Sequence, residues 1–155
     1  MEQEIKELQR QARKLETTSQ DRNSLLNKAQ NYEEEFLSTL DEQPAYVDSE
    51  SMGKGVYELP FDEKPKDFDQ LLEVLKSEVD RPGLNPASGK HAGYIPGGGL
   101  YPSAIADYLA AVTNRYTGVF FSSPGAVRIE NMCIRWMNDL VGYPEGAAGN
   151  LTSGG

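Results

Sequence analysis

Between residues 2 and 16 the apolar positions Ile5, Leu8, Ala12 and Leu15 recur every three or four residues, with polar or charged side chains between them. That spacing predicts a charged helix carrying one narrow apolar stripe. A second helix is predicted from about Asp21, where Leu25, Leu26, Ala29, Tyr32, Phe36, Leu37 and Leu40 keep helical spacing and Pro44 fits a stop. The pair suits a hairpin, and the pattern leaves two partners for its stripe: the other helix, in a small antiparallel coiled coil, or the surface of another subunit. From Pro44 to Pro65 the chain is mostly polar and without period, which predicts a surface connection with a short strand around Val56-Tyr57-Glu58-Leu59. Asp67 is placed to cap a third helix whose Phe68, Leu71, Leu72, Leu75 and Val79 line one side, ending before Pro82-Gly83.

At Asn85 the character changes. Charges thin out, and the segment from Pro86 to Gly99 has no regular period but gathers glycines around Tyr94-Ile95-Pro96. Three consecutive glycines, Gly97 to Gly99, allow close backbone approach and positive φ angles, and the tyrosine and proline beside them suit a shaped loop. A functional wall and a plain connector both fit that composition, the wall being preferred. Tyr101-Pro102-Ser103 opens a helix through Ala104, Ile105, Tyr108, Leu109 and Val112, apolar enough to be expected largely buried. Ser123 takes the N-cap place of another, with Pro124 at its first position. Its apolar residues, Val127 to Val141, surround much of the helix, as in the interior of a larger protein, and Gly142 suits a left-handed stop. The run Gly146 to Gly155 follows, and its Thr152-Ser153-Gly154-Gly155 is of the kind that presents N–H groups to a phosphate when a helix comes next.

Composition sharpens this picture. Hydrophobic residues make up 38% of the 155, below the roughly 45–50% apolar share, glycine included, of ordinary globular domains, so part of the chain is expected to need a partner surface. The net charge of −9 argues against nucleic acid, whose binding rests on clustered Lys and Arg. No run approaches the roughly 18 apolar residues of a membrane span, and Met1 to Lys6 lack the layout of a signal peptide, so a cytoplasmic protein without membrane contact is expected. Cys133 is the single cysteine and His91 the single histidine, so neither a disulfide within the chain nor a metal site is expected. Cys133 reads as a small hydrophobe, and Asp107, Arg115, Glu130 and Arg135 as surface charges. Lys90 sits in a glycine loop with no visible desolvated or cationic setting, which speaks against a Schiff-base lysine.

Taken together, Tyr94-Ile95-Pro96-Gly97-Gly98-Gly99, Ser123-Pro124-Gly125-Ala126, the stretch Trp136 to Pro144, and Thr152 to Gly155 resemble the group II pyridoxal-phosphate decarboxylases, which include aromatic amino-acid and glutamate decarboxylases. The order and spacing of these motifs carry the resemblance, over about residues 67–155. It implies a mainly α chain: an N-terminal helical segment, residues 1–84, packed on a homodimer partner, then residues 85–155 as the substrate-loop region and the start of the large α/β domain of a fold-type I enzyme. It implies pyridoxal 5'-phosphate as cofactor, cradled at Thr152, Ser153, Gly154 and Gly155, and a substrate pocket walled by Tyr94, Ile95 and Pro96. An interface role is the plainer alternative for Tyr94. By the same resemblance the catalytic lysine and the groups that engage the cofactor ring lie in the remainder of the enzyme, so no catalytic residue is assigned here and residues 1–155 alone are expected to be inactive. The implied reaction is loss of the α-carboxylate of an L-amino acid as carbon dioxide, an aromatic one favoured. A helical, non-catalytic interaction module is the alternative from another class.

Overall fold

The computed structural model describes residues 1–61 and 64–152, and they are mainly α-helical. By their internal contacts they fall into two units, Met1–Gly98 and Gly99–Gly155.

In the first unit, α1 spans Glu2–Ala12 and tightens into a 3-10 turn at Arg13–Leu15. Helix α2, Ser19–Ser38, starts two residues earlier than the apolar pattern suggests because Thr18 and Asp21 form a capping box. The Thr18 hydroxyl accepts from the Asp21 N–H at 3.1 Å, and the Asp21 carboxylate accepts from the Thr18 N–H at 3.0 Å. Each side chain thereby satisfies a backbone donor that the first turn leaves open. The coiled-coil reading of the first two helices is overturned: Ile5 and Leu8 stay exposed and Leu15 is 88% exposed, whereas a closed seam would cover them.

Helix α2 meets a later element instead. Strand β1, Tyr46–Val47, follows it, and then a single helical turn, α3, Lys54–Tyr57. The short strand expected at residues 56–59 is therefore absent. Gly53 enters the turn at φ +82°, and the Glu78 carboxylate accepts from the Gly55 N–H at 3.0 Å, supplying from 23 residues away the anion that a helix start favours. Gly55 must be glycine for this approach, since a Cβ there would lie 2.6 Å from Glu78 Cδ.

Helix α4, Phe68–Val74, begins as expected at Asp67, whose carboxylate accepts from the N–H groups of Asp69 and Gln70 at 3.0 and 3.3 Å. Its continuation, Leu75–Asp80, winds as a π turn before Pro82. Lys28 of α2 pairs with Asp69 at 2.6 Å, Lys76 pairs with Glu35, and the Tyr32 hydroxyl donates to Asp80. Strand β2, Gly83–Leu84, then runs antiparallel to β1, with Tyr46 opposite Leu84 and Val47 opposite Gly83.

In the second unit, α5 spans Tyr101–Thr113 and ends on Asn114 in the left-handed region. The expectation that this helix is largely buried fails among the described residues, because every one of its positions is exposed. Helix α6, Pro124–Val141, follows a 3-10 turn at Phe120–Ser122, and the Arg128 guanidinium lies 5.3 Å from the centre of the Phe120 ring. Ser123 occupies the N-cap position and is buried, but its side chain makes no capping hydrogen bond. Gly142 closes α6 at φ +75° as expected. No apolar side chain is buried among the described residues, and Leu140, Trp136 and Leu109 all remain more than half exposed. The helices carry the stripes their sequence predicts, but the surfaces that would cover them are not supplied by these residues.

Candidate functional site

The Tyr94 loop is built from its fixed end outward. At its start the Asn85 N–H donates to the Ala45 carbonyl at 2.9 Å, extending the β1–β2 pairing, and the Asn85 amide donates to the Gln43 side chain at 2.7 Å. Ser88, 4% exposed, donates from its hydroxyl to the Gln43 carbonyl at 2.6 Å and accepts from the Lys90 N–H at 3.2 Å. The Lys90 ammonium donates to the Glu42 carbonyl at 2.7 Å.

From this latch the chain projects outward. The His91 N–H donates to the Ser88 carbonyl at 3.0 Å, and the His91 and Tyr94 rings stack with centres 6.2 Å apart and planes 15° apart. Tyr94 itself takes φ +65°, in the left-handed region that costs an L residue about 1–2 kcal/mol. Gly97, Gly98 and Gly99, free to take a positive φ, do not adopt one. Gly98 serves the close approach: a Cβ there would lie 3.3 Å from Ala87. Tyr94 is 84% exposed, and Ile95 and Pro96 are exposed beside it, so the three residues named from the sequence stand together on one surface.

The second candidate segment follows α6. The Tyr143 N–H donates to the Asn138 carbonyl at 2.9 Å and the Gly142 N–H to the Asp139 carbonyl at 3.2 Å, the paired bonds of a Schellman ending. The Asn138 amide then donates to the Ala147 carbonyl at 2.9 Å, folding residues 143–147 back on the helix. Gly149 lies against Ile134 so closely that a Cβ would meet Ile134 Cγ2 at 2.8 Å. These contacts deliver the chain to Thr152, an exposed residue whose hydroxyl and N–H are donors of the kind a phosphate takes. Ser153, Gly154 and Gly155, the rest of the expected cradle, lie outside the described residues. Thr152 is thus the described member of that set.

A cleft of about 480 Å³ also opens between α2 and the π turn, walled by Phe36, Val47 and Pro44 among others. Burial, and then donation to Asp80, holds the Tyr32 hydroxyl well above its ordinary pKa, and Glu35 raises that of Lys76. The charged groups Glu35, Lys76 and Asp80 are engaged in joining α2 to the segment after α4, which makes this a structural seam. Among the described residues no three His, Cys, Asp or Glu side chains converge as metal ligands, and no helix is long and apolar enough to cross a membrane.

Four positions escaped the sequence reading. Gln43 and Ser88 act through a contact spanning 45 residues, which no local pattern announces. Asn138 was visible only as one letter of the Trp136–Pro144 stretch, and Gly149 as one glycine among several.

No family profile matches the chain. An aromatic-L-amino-acid decarboxylase of Bacillus atrophaeus is 29% identical over 93 residues, which cover 60% of this chain and 19% of that relative. Among solved structures, the 4-hydroxyphenylacetaldehyde synthase of Rhodiola rosea superposes with a TM-score of 0.70 at 15% identity, over 83% of this chain and 28% of its own. The Oryza sativa TDC with PLP and tryptamine gives 0.69 at 19% identity, over 82% and 26%. The chain thus spans about a fifth of the curated relative and about a quarter of the structures. Likeness at this level shows the fold, and it is the fold found at the N-terminal part of such enzymes.

Proposed function

We propose that this chain, whose sequence and fold are similar to the N-terminal portion of the group II pyridoxal-phosphate decarboxylases, forms the substrate wall and the first part of the phosphate cradle of an amino-acid decarboxylase. The reaction is removal of the α-carboxylate of an L-amino acid as carbon dioxide. When bound, pyridoxal phosphate supplies the ring that accepts the electrons of the broken bond. This chain's share is placement. Thr152, with Ser153, Gly154 and Gly155 beyond it, offers hydroxyl and N–H donors to the dianionic phosphate, and glycines there keep Cβ atoms out of its way.

The observation that carries this reading is the Tyr94 loop, pinned at Ser88 and presenting Tyr94, Ile95 and Pro96 to the outside. Those side chains pack on the substrate's side chain and fix its direction. Their chemistry favours an aromatic amino acid. From Ala92 to Leu100 the sequence holds no charge, so a second carboxylate on the substrate finds no cation within that stretch.

The exposed stripe of α1, together with the rest of residues 1–84, docks on a homodimer partner in the cytoplasm, which explains why Ile5, Leu8 and Leu15 lack cover here. Residues 1–155 alone do not turn over, because the groups that attach the cofactor and protonate the product belong to the remainder of the enzyme. The test is Tyr94→Ala in the complete enzyme. KM for an aromatic L-amino acid is expected to rise about tenfold or more while the cofactor's visible absorbance stays unchanged. An unchanged KM removes the wall from the proposal, and a sample with no such absorbance on reconstitution removes the enzyme.

A further inference from the structure

Tyr94 stands in a backbone region that favours glycine, and it is too exposed for burial to hold it there. Something else must fix the ring. The ring contact it makes is with His91, at 6.2 Å and 15°. His91 is half-buried, its N–H is bonded to the Ser88 carbonyl, and Ser88 is bolted to Gln43. Among the described residues its Nε2 is enclosed and makes no hydrogen bond. The contact this side chain offers Tyr94 is through its flat face.

We infer that His91 is a positioning residue, a ring brace that carries the fixed geometry of the Ser88 latch to Tyr94 and so sets the angle of the substrate wall. This rests on the reading of Tyr94 as that wall. The brace requires an aromatic plane and no ionisable group. Phenylalanine should therefore replace histidine, and alanine should not.

The experiment uses the complete enzyme with 3-fluorotyrosine at position 94, comparing His91→Ala and His91→Phe with the parent by fluorine NMR and by steady-state kinetics across pH. His91→Ala is expected to shift and broaden the fluorine resonance and to raise KM for an aromatic L-amino acid about tenfold, with kcat within about twofold. His91→Phe is expected to restore both, and to leave the pH profile of kcat/KM in place. An unmoved resonance in His91→Ala overturns the brace. A pH profile altered in both variants overturns it in favour of a role for the imidazole nitrogens. If the resonance follows His91 as expected but Tyr94→Ala leaves KM unchanged, the wall reading is what fails, and with it the functional role of the brace, although the stacking itself remains.

Discussion

The two candidate segments, one in each unit, are fixed by opposite means. The Tyr94 loop hangs from residues 42–45, which are more than 40 positions earlier, through Asn85, Ser88 and Lys90. The loop after α6 is fastened to the helix it has just left, through the Schellman bonds, the Asn138 amide and the Gly149–Ile134 approach. The first holds only if the α2 end and the β1–β2 pair are already in place. The second needs only one helix and the few residues that follow it. The proposed wall is thus held by tertiary contacts, and the segment leading to the proposed cradle by local ones.

The sharpest break in this comparison is Gly149→Ala. Its methyl group must displace Ile134 or the loop, at about 1–3 kcal/mol, and the affinity for pyridoxal phosphate, followed by absorbance titration, should fall about tenfold or more. Gly149→Ala with Ile134→Val makes room and should recover part of the loss, while KM determined at saturating cofactor stays near the parent value. Next comes Ser88→Ala, which leaves the part-buried Gln43 carbonyl without its donor and should cost about 1 kcal/mol. Hydrogen exchange should then rise over residues 88–96 and not over 142–152.

Asn138→Ala is the local counterpart. It removes one neutral hydrogen bond worth about 1 kcal/mol and should loosen residues 143–147 alone by the same measurement. The smallest effect concerns pH. The Tyr32 hydroxyl is held above its ordinary value, so the unfolded chain ionises first. The stability this group contributes is fully present below about pH 10 and lost as pH climbs from there through the folded state's own value. Tyr32→Phe should flatten the alkaline limb of a denaturation series and leave the neutral range nearly unaffected; an alkaline limb as steep as the parent's would show that Tyr32 does not control it.

Much of the local structure was legible where its cause is short-range. Asp67 as a cap and Gly142 as a left-handed stop both follow from neighbours within a few residues, whereas the role given to Tyr94-Ile95-Pro96 came from the family resemblance. The short helix at Lys54–Tyr57 was misread as a strand because Val56 and Tyr57 favour strands locally, while the anion at its start arrives from Glu78. The triple glycine had the freedom for a positive φ, yet the positive φ in this loop is that of Tyr94, beside a stacked ring that glycine lacks. Apolar patterning found α5 but not its exposure, since a pattern states which face seeks cover and not whether these residues supply it.

The sequence by itself determined the longer helices, the Asp67 cap and the Gly142 stop, the excess of acidic charge, and the motif order on which the resemblance rests, because each depends on propensity or composition over a few residues. Only the tertiary structure decided that Gln43 holds Ser88, that Glu78 starts α3, that α2 joins the segment after α4 through Tyr32 and Lys76, and that Tyr94 is the strained residue. Those outcomes turn on which distant donors meet which acceptors, and many pairings share the same local pattern. Desolvation selects among them once the chain has folded, by penalising every buried polar group that the chosen arrangement leaves unpaired.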